Sequence, residues 1–319
     1  IDLHCDSILS HLAGERDLTA RSGQGQLDLP RMREGGLDAE VFAVFVDPAQ
    51  HPPGVRAPFA RKALAELERL CAATPGLTRA LGPAELEDAC AAGALAAIPG
   101  VEGGHALDGD SGRLEEFHAL GARVLTLTWN NSNELGRSCV EPDGTGLTTL
   151  GREAVRRLNR LGLILDLSHA APETFYDALE LSIAPVICSH SGARALCDHP
   201  RNLDDEQLRM LGRQGGLVGV VFLPWFLAPG GNRVTVENVL DHIEHITAVA
   251  GPAAVGLGSD FDGFNDPPPA GLEDVTKLPA LAEGMARRGF PEPDIRGILG
   301  GNFLRAWRAV VSAARQTGQ

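Results

Sequence analysis

Residues 163–190 read LILDLSHAAPETFYDALELSIAPVICSH, and the order of the parts in this stretch indicates the architecture. A short apolar run at 163–168 is followed by an amphipathic stretch at 173–181 and a second apolar run at 185–189. A strand, a helix and a second strand in this order form the βαβ unit of parallel sheets. His169 directly follows the first run and His190 directly follows the second. The stretch therefore predicts two parallel strands that bring two histidines to the same edge of a sheet.

The same alternation of strand and helix runs through the rest of the chain. Eight short runs rich in β-branched residues or leucine are predicted as strands, at 1–5, 39–46, 95–101, 123–128, 163–168, 185–189, 217–222 and 254–259. Amphipathic stretches between them are predicted as outer helices, among them 60–71, 149–161, 173–181, 204–212 and 236–249. Eight strands with intervening helices favour a single (β/α)8 TIM-type barrel over a doubly wound open sheet. Residues 1–319 are taken as one domain, with extra C-terminal helices in 279–319 packed outside the barrel.

Composition limits the classes of function that the chain can have. A net charge of -14, with Lys62 and Lys277 as its two lysines, argues against a nucleic-acid partner. No run approaches the roughly 18 apolar residues that a membrane span requires, and the C-terminal residues lack the apolar tail of a lipid-anchor signal. The six cysteines form no CxxC pair, which favours reduced, buried thiols. We expect a cytoplasmic protein without a membrane partner, and a signal cleaved upstream of Ile1 stays open as an alternative.

Candidate metal ligands stand at the ends of the predicted strands, where barrels of this kind gather their chemistry. Strand alternation places Asp2, His4 and Asp6 on one side of the first strand and Cys5 on the other, so His4 and Asp6 are predicted to bind one ion. Glu102 ends the third strand and is followed by two glycines. An unpaired buried carboxylate costs several kcal/mol, so this glutamate implies a positive partner, either metal ions or an arginine.

Two histidines and a bridging glutamate are predicted to hold a second ion. His169 and His190 lie at equivalent ends of the fifth and sixth predicted strands, and Glu102 would join their site to the first one. Lys62 and Lys277 occupy helical or loop contexts, so neither is predicted to be the carboxylated lysine that bridges metals in some barrel hydrolases. Imidazole nitrogens with carboxylates suit zinc, although iron, manganese or cobalt would fit the same ligands.

A carboxylate for proton transfer is predicted after the eighth strand. The segment GLGSDFDG, residues 256–263, carries Asp260 next to the strand end and Asp262 two residues later. A carboxylate that faces a metal pair can take the proton of a bridging water and pass it to a leaving amine. Asp260 is the preferred candidate, whereas Asp262 is predicted to orient the loop, with a calcium-binding loop as the competing interpretation. The whole pattern predicts a two-metal hydrolase.

These motifs resemble the membrane (renal) dipeptidases, zinc-dependent hydrolases of the amidohydrolase type, over nearly the whole chain. The segments that carry the resemblance are Asp-Leu-His4-Cys-Asp6, Gly-Val-Glu102-Gly-Gly-His105, Asp-Leu-Ser-His169, Ser-His190-Ser-Gly, Gly-Ser-Asp260-Phe-Asp-Gly and Leu272-Glu-Asp-Val-Thr-Lys277. The resemblance implies a binuclear enzyme that hydrolyses short L-Xaa-L-Xaa or L-Xaa-D-Xaa dipeptides by a metal-bridging hydroxide, with Asp260 shuttling the proton. It also implies that Arg201 holds the C-terminal carboxylate of the substrate, a task that suits a planar guanidinium.

The chain departs from the family pattern at two substrate-facing positions. Trp129 ends the fourth strand where mammalian members carry a histidine that supports the developing oxyanion, and an indole cannot become cationic. Trp225 and Phe226 lie near the place of a mammalian tyrosine. Trp129 and Phe226 are predicted to contact substrate, although a rim or core aromatic is the alternative at Trp129. These departures keep open a hydrolase of another small amide, lactam or lactone on the same binuclear site.

A non-catalytic metal-binding barrel is the alternative from another class, and the full ligand set with Asp260 argues against it. The expected partners are a small dipeptide and, in a homodimer, a second copy of the chain. Among the other histidines, His242 and His245 share a helix face without the glutamate of a zinc-protease helix and are expected at the surface. His105 is expected either to line the site or to orient the turn after Glu102.

Overall fold

A closed ring of parallel strands organises the protein, for which a computed structural model describes residues 1–317. Within these residues the strands are β1 Asp2–Cys5, β2 Ala39–Phe45, β3 Leu77–Arg79, β4 Leu95–Glu102, β5 Val124–Thr126, β6 Ile164–Asp166, β7 Ile187–Ser191, β8 Leu217–Val220 and β9 Val255–Leu257. Every strand pairing is parallel, β2 pairs with β4, and β9 pairs back to β1. The predicted eight-stranded barrel is therefore confirmed.

The short strand β3 was not predicted and lies outside the ring. It pairs with the first half of β4, from Leu95 to Ala97, whereas β5 pairs with the second half, from Gly100 to Glu102. β3 thus lengthens the sheet on one side without entering the barrel wall.

Helices surround the ring. Within the described residues they are α1 Ser7–Leu12, α2 Leu29–Gly35, α3 Arg56–Ala73, α4 Pro83–Ala91, α5 Arg113–Ala119, α6 Thr149–Leu161, α7 Pro172–Leu181, α8 Asp205–Arg213, α9 Pro224–Leu227, α10 Val236–Ala250, α11 Pro279–Arg287, α12 Glu292–Arg296 and α13 Asn302–Thr317. Capping residues explain the sharp ends of α6: the Thr148 side chain accepts from the Gly151 N–H, and Gly162 ends the helix in the left-handed conformation at φ 70°. Among residues 1–317, none of these helices has the length and apolarity needed to cross a bilayer.

The C-terminal helix α13 contributes to the barrel core, where the sequence predicted only outer packing. Phe303 and Trp307 of α13 lie in one buried cluster with residues near the starts of the strands, including Leu3, Val41, Ile98, Val124, Ile164, Ile187 and Leu217. Trp307 is fully buried. The helix therefore closes the end of the barrel at which the strands begin, and the opposite end is left for the loops that follow the strands.

Candidate metal centre

The predicted ligands converge at the end of the barrel where the strands finish. His4 lies in β1 and Asp6 follows it, Glu102 is the last residue of β4, and His190 lies in β7. His169 and Asp260 each come three residues after their strands, β6 and β9. All six side chains are buried, with at most 8% of each residue exposed.

One group of donor atoms surrounds the imidazole of His4. Its Nε2 atom lies 3.6 Å from Asp6 Oδ2, 3.7 Å from Glu102 Oε2 and 3.9 Å from Asp260 Oδ1. This buried nitrogen has no hydrogen-bond partner. A nitrogen without a partner among three carboxylates fits the coordination of a cation by imidazole and carboxylate ligands.

A second group meets the other oxygen of Glu102. Glu102 Oε1 lies 3.0 Å from His169 Nε2 and 3.5 Å from His190 Nε2, and these two nitrogens are 2.9 Å apart. Because the two oxygens of Glu102 face different groups, the carboxylate has the position of a bridge between two ions. The donor set therefore fits a binuclear site.

Hydrogen bonds behind the two histidines fix which ring nitrogen faces the centre. His169 Nδ1 lies 2.9 Å from Asn130 Oδ1, and His190 Nδ1 lies 2.8 Å from Ser189 Oγ. Ser189 in turn donates to Asp166 Oδ2 at 2.7 Å. Since these acceptors take the Nδ1 protons, both Nε2 lone pairs are directed to the centre, which is the usual arrangement behind metal-bound histidines. Asn130, Ser189 and Asp166 were not predicted from the sequence, although an aspartate inside the apolar run 163–168 is a usable signal.

Burial and charge shift the titration of this cluster. Burial raises the pKa of Glu102 to about 8 and that of Asp260 to about 7. Burial lowers the pKa of His169 and of His190 well below the usual range, and the charge of Arg201 adds to the effect. Against its own burial, the carboxylates of Glu102, Asp6 and Asp260 raise the pKa of His4 to about 10. The carboxylates thus favour a positive charge at His4, whereas burial favours neutral imidazoles at His169 and His190.

The backbone is strained where it delivers two of these side chains. His169 has a φ of 67° and Asp260 a φ of 63°, in the left-handed region that residues with a Cβ rarely adopt. Gly263 leaves the necessary space, because a Cβ there would lie 2.3 Å from Asp260 Oδ1 and 2.4 Å from Asp6 Oδ2.

Two other predictions about aspartates have different outcomes. Asp262 accepts hydrogen bonds from the side chains of Ser7 and Arg16, so it anchors the loop as predicted, and it belongs to neither group of possible metal ligands found among the described residues. Asp2 does not lie with His4 and Asp6 in the ligand cluster, so the prediction that all three residues share one side of the first strand was wrong. Its Oδ1 accepts from the Ser259 N–H at 2.8 Å, and the register of β1 shifts between Asp2 and Cys5.

Of the two expected roles of His105, the structure supports the second, orientation of the turn after Glu102. It is fully buried, and its Nε2 donates to the carbonyl oxygen of Val46 at 2.7 Å. This bond ties the turn to the end of β2.

Arg201 and three aromatic residues, Phe45, Trp129 and Phe226, line a cavity of about 130 Å³ at the ligand cluster. The guanidinium of Arg201 donates to the His190 carbonyl oxygen at 3.0 Å and to Ser191 Oγ at 3.4 Å, and its buried Nε has no partner. It lies 5.3 Å from the ring centre of Phe226. Trp129 packs beside Phe45, with 4.6 Å between their ring centres. Arg201, which is 3% exposed, is therefore not a surface residue.

Comparison with known proteins identifies the family of the chain. The sequence pattern of the membrane dipeptidase family, peptidase family M19, matches residues 1–319. An uncharacterized dipeptidase of Schizosaccharomyces pombe is 42% identical over 217 residues, which are 67% of this chain and 53% of that protein. Dipeptidase 3 of Mus musculus is 36% identical over 293 residues, 90% of this chain and 58% of that protein. The chain thus spans little more than half the length of these curated relatives.

A solved structure extends the likeness to three dimensions. The metallo peptidase from Rhodobacter sphaeroides, liganded with a phosphinate mimic of the dipeptide L-Ala-D-Ala, has a TM-score of 0.87 and 35% sequence identity. The alignment covers 97% of this chain and 98% of that chain. The chain therefore belongs to the membrane dipeptidase family, peptidase family M19.

Proposed function

We propose that this protein is a binuclear metallohydrolase that cleaves the amide bond of short L-Xaa-L-Xaa and L-Xaa-D-Xaa dipeptides. The observation that carries the proposal is the position of Arg201, a buried cation in the same small cavity as the ligand cluster. The phosphinate mimic of a dipeptide bound to the Rhodobacter sphaeroides relative supports this substrate class.

His4, Asp6, Glu102, His169 and His190 would hold two divalent ions, which we propose to be zinc because the donors are imidazoles and carboxylates. When bound, such ions polarise a scissile carbonyl and lower the pKa of a water towards neutrality. Asp260 would accept a proton at its carboxylate and return it to the leaving amine. Burial raises the pKa of the Asp260 carboxyl above its ordinary value, and a positioned carboxyl group can take up a proton and release it.

Arg201 would bind the free carboxylate at the C-terminal end of the substrate. Both hydrogen bonds that its terminal nitrogens make go to neutral oxygens of His190 and Ser191, and its Nε is unpartnered. A buried guanidinium without a charged acceptor has a large gain from a carboxylate ligand. Phe226 would hold the guanidinium plane from one side.

The remaining substrate contacts would come from aromatic residues. Trp129, packed on Phe45, would offer a fixed apolar wall with one hydrogen-bond donor in place of an ionisable histidine. A wider cavity of about 480 Å³ lies next to the small cavity at the metal centre, and Asp6 and Phe45 line both cavities. It gives room for the side chain of the N-terminal residue of a dipeptide. The proposal takes residues 1–319 as one catalytic domain and a homodimer as its assembly.

The test is a panel of dipeptides, their C-terminal amides and small lactams, assayed before and after chelation. We expect chelator-sensitive release of amino acids from dipeptides, with L-Xaa-D-Xaa peptides accepted and the amides poor. The variant Arg201→Met should raise KM for dipeptides far more than KM for amides. Turnover of a lactam without dipeptide cleavage would replace the proposed substrate class, and a fully loaded protein without turnover of any panel member would overturn the enzymatic assignment.

A further inference from the structure

The two residues proposed to contact the substrate carboxylate end lie on separate segments of the chain. Arg201 belongs to the loop 192–203 after β7, which is closed by a hydrogen bond from the Leu203 N–H to the Gly192 carbonyl oxygen at 2.9 Å. Phe226 lies in α9, which follows β8. Because neither segment is part of a strand, something else must fix their relative position.

His242, a residue of helix α10, connects these two segments. It was expected at the surface, but it is fully buried in α10. Its Nδ1 accepts from the Ala193 N–H at 2.9 Å, in the Arg201 loop, and its Nε2 donates to the Leu227 carbonyl oxygen at 3.0 Å, beside Phe226. A neutral imidazole with its proton on Nε2 satisfies both bonds, and burial lowers the pKa of His242 in keeping with that form.

Asn202 makes a second connection between the same segments. Its Nδ2 donates to the Cys197 carbonyl oxygen at 2.9 Å and to the Phe226 carbonyl oxygen at 2.7 Å. Asn202 directly follows Arg201 and is 1% exposed. Gly192 allows the two connections to lie side by side, since a Cβ there would come within 2.6 Å of Asn202 Oδ1 and 2.9 Å of His242 Nδ1.

We propose that His242 and Asn202 are positioning residues that lock the Arg201 loop to the Phe226 segment and so aim the guanidinium at the carboxylate of the substrate. The inference rests on the proposed function. Neither His242 nor Asn202 lines the cavity at the ligand cluster, so both would act through Arg201. The hydrogen bonds of His242 and Asn202 therefore govern recognition of a free C-terminal carboxylate. Hydrolysis of the amide bond at the metal centre does not depend on them.

The measurement is the ratio of kcat/KM for a dipeptide to kcat/KM for its C-terminal amide. Both substrates are cleaved by the same active fraction, so partial misfolding cancels from the ratio. His242→Leu removes both bonds of the imidazole, and Asn202→Asp keeps the shape of the side chain while removing its two donated bonds. In each variant we expect the ratio to fall about tenfold or more, mainly through KM of the dipeptide, because buried partners lose their hydrogen bonds.

Two further variants separate positioning from general packing. His242→Asn keeps an acceptor near the position of Nδ1 and should restore part of the ratio. His245→Leu changes a partly exposed histidine on the same helix, which pairs with Asp205 at 2.8 Å, and should leave the ratio unchanged. On an Arg201→Met background, His242→Leu should change the ratio no further.

Failure of this inference is distinguishable from failure of the proposed function. Absence of dipeptide cleavage by the unchanged, metal-loaded protein would remove the function itself. The other outcome starts from an unchanged protein that prefers the free acid and an Arg201→Met variant that has lost this preference. If both His242→Leu and Asn202→Asp then keep the preference, the positioning role of His242 and Asn202 is refuted and the proposed function stands.

Discussion

The Nε2 atoms of His169 and His190 face each other at 2.9 Å, while the Nδ1 atoms of both rings lie within hydrogen-bond distance of oxygen acceptors. With both Nδ1 atoms protonated, the two Nε2 lone pairs repel each other at this distance, and a cation bound by both nitrogens and by Glu102 would remove that repulsion. We expect about two divalent ions per chain by elemental analysis. Chelation should abolish dipeptide hydrolysis and lower the melting temperature by several degrees, since an ion at 100 times its Kd stabilises the fold by about 2.7 kcal/mol. Full activity in the metal-free protein would contradict the assignment.

Asn130→Ala should weaken metal binding without removing a ligand. The Asn130 amide oxygen accepts from His169 Nδ1, and loss of such an outer partner typically lowers metal affinity about 10- to 100-fold. Asn130→Asp keeps an acceptor and should bind metal at least as well as the unchanged protein. Competition with a chelating dye measures both affinities, and equal affinity for Asn130→Ala would show that the bond does not orient the ring.

Asp260→Asn should separate proton transfer from metal binding. Loss of a positioned general acid–base group lowers kcat by about 10²- to 10⁴-fold, whereas the other ligands should keep the metal content near its original value. Asp262→Asn is the matched control, because Asp262 holds Arg16 and Ser7 in the loop. It should lower the melting temperature while kcat keeps its order of magnitude. Equal losses of kcat in both variants would assign the effect to the loop.

Gly263→Ala should damage the site although it adds one methyl group. The new Cβ would lie 2.3 Å from Asp260 Oδ1 and 2.4 Å from Asp6 Oδ2, so both carboxylates must move. We expect less than the full metal content and a loss of activity comparable with that of Asp260→Asn. Gly23→Ala, at a glycine with open space around it and no left-handed φ, is the control for the effect of an added methyl group on folding. Normal metal binding by Gly263→Ala would disprove the steric argument.

Acid should destabilise the fold partly through His105 and His242. Burial lowers the pKa of both imidazoles below the unfolded value of about 6.5, so below that pH the unfolded chain binds more protons. Their contribution to stability is fully present above about pH 6.5 and is lost as pH falls towards the folded pKa. His105→Gln can still donate to the Val46 carbonyl oxygen but does not titrate. Between pH 6.5 and 5, the free energy of unfolding of the His105→Gln variant, measured in urea, should fall less steeply than that of the unchanged protein. The two slopes should differ by up to about 1.4 kcal/mol per pH unit. Identical slopes for the two proteins would exclude His105.

The barrel could be predicted because local signals agree with long-range packing in most elements. The ends of α6 follow from Thr148 and Gly162, and α8 begins with a capping box between Asp204 and Gln207. The five proposed ligands and Asp260 share one recognisable feature: each is a polar residue at the end of an apolar run. The structure brings all of these residues together.

Other features depend on tertiary packing that no local pattern records. Alternation grouped Asp2 with His4 because a register shift inside β1 leaves no mark in the sequence. His242 and His245 share a face of one helix, yet only His242 lies over the loops that need its two hydrogen bonds. Asn130 could not be assigned to the site from the sequence, since its role depends on a histidine that follows a different strand.

The proposed metal centre combines residues at the ends of the first and the last strand of the barrel. His4 comes from the first strand of the ring and Asp260 follows the last, and the Asp260 N–H donates to the His4 carbonyl oxygen at 3.0 Å. During synthesis, the chain can assemble this constellation only after β9 has emerged and the two edges have met. The proposed ligand set is therefore complete only once the first and last strands of the ring have paired.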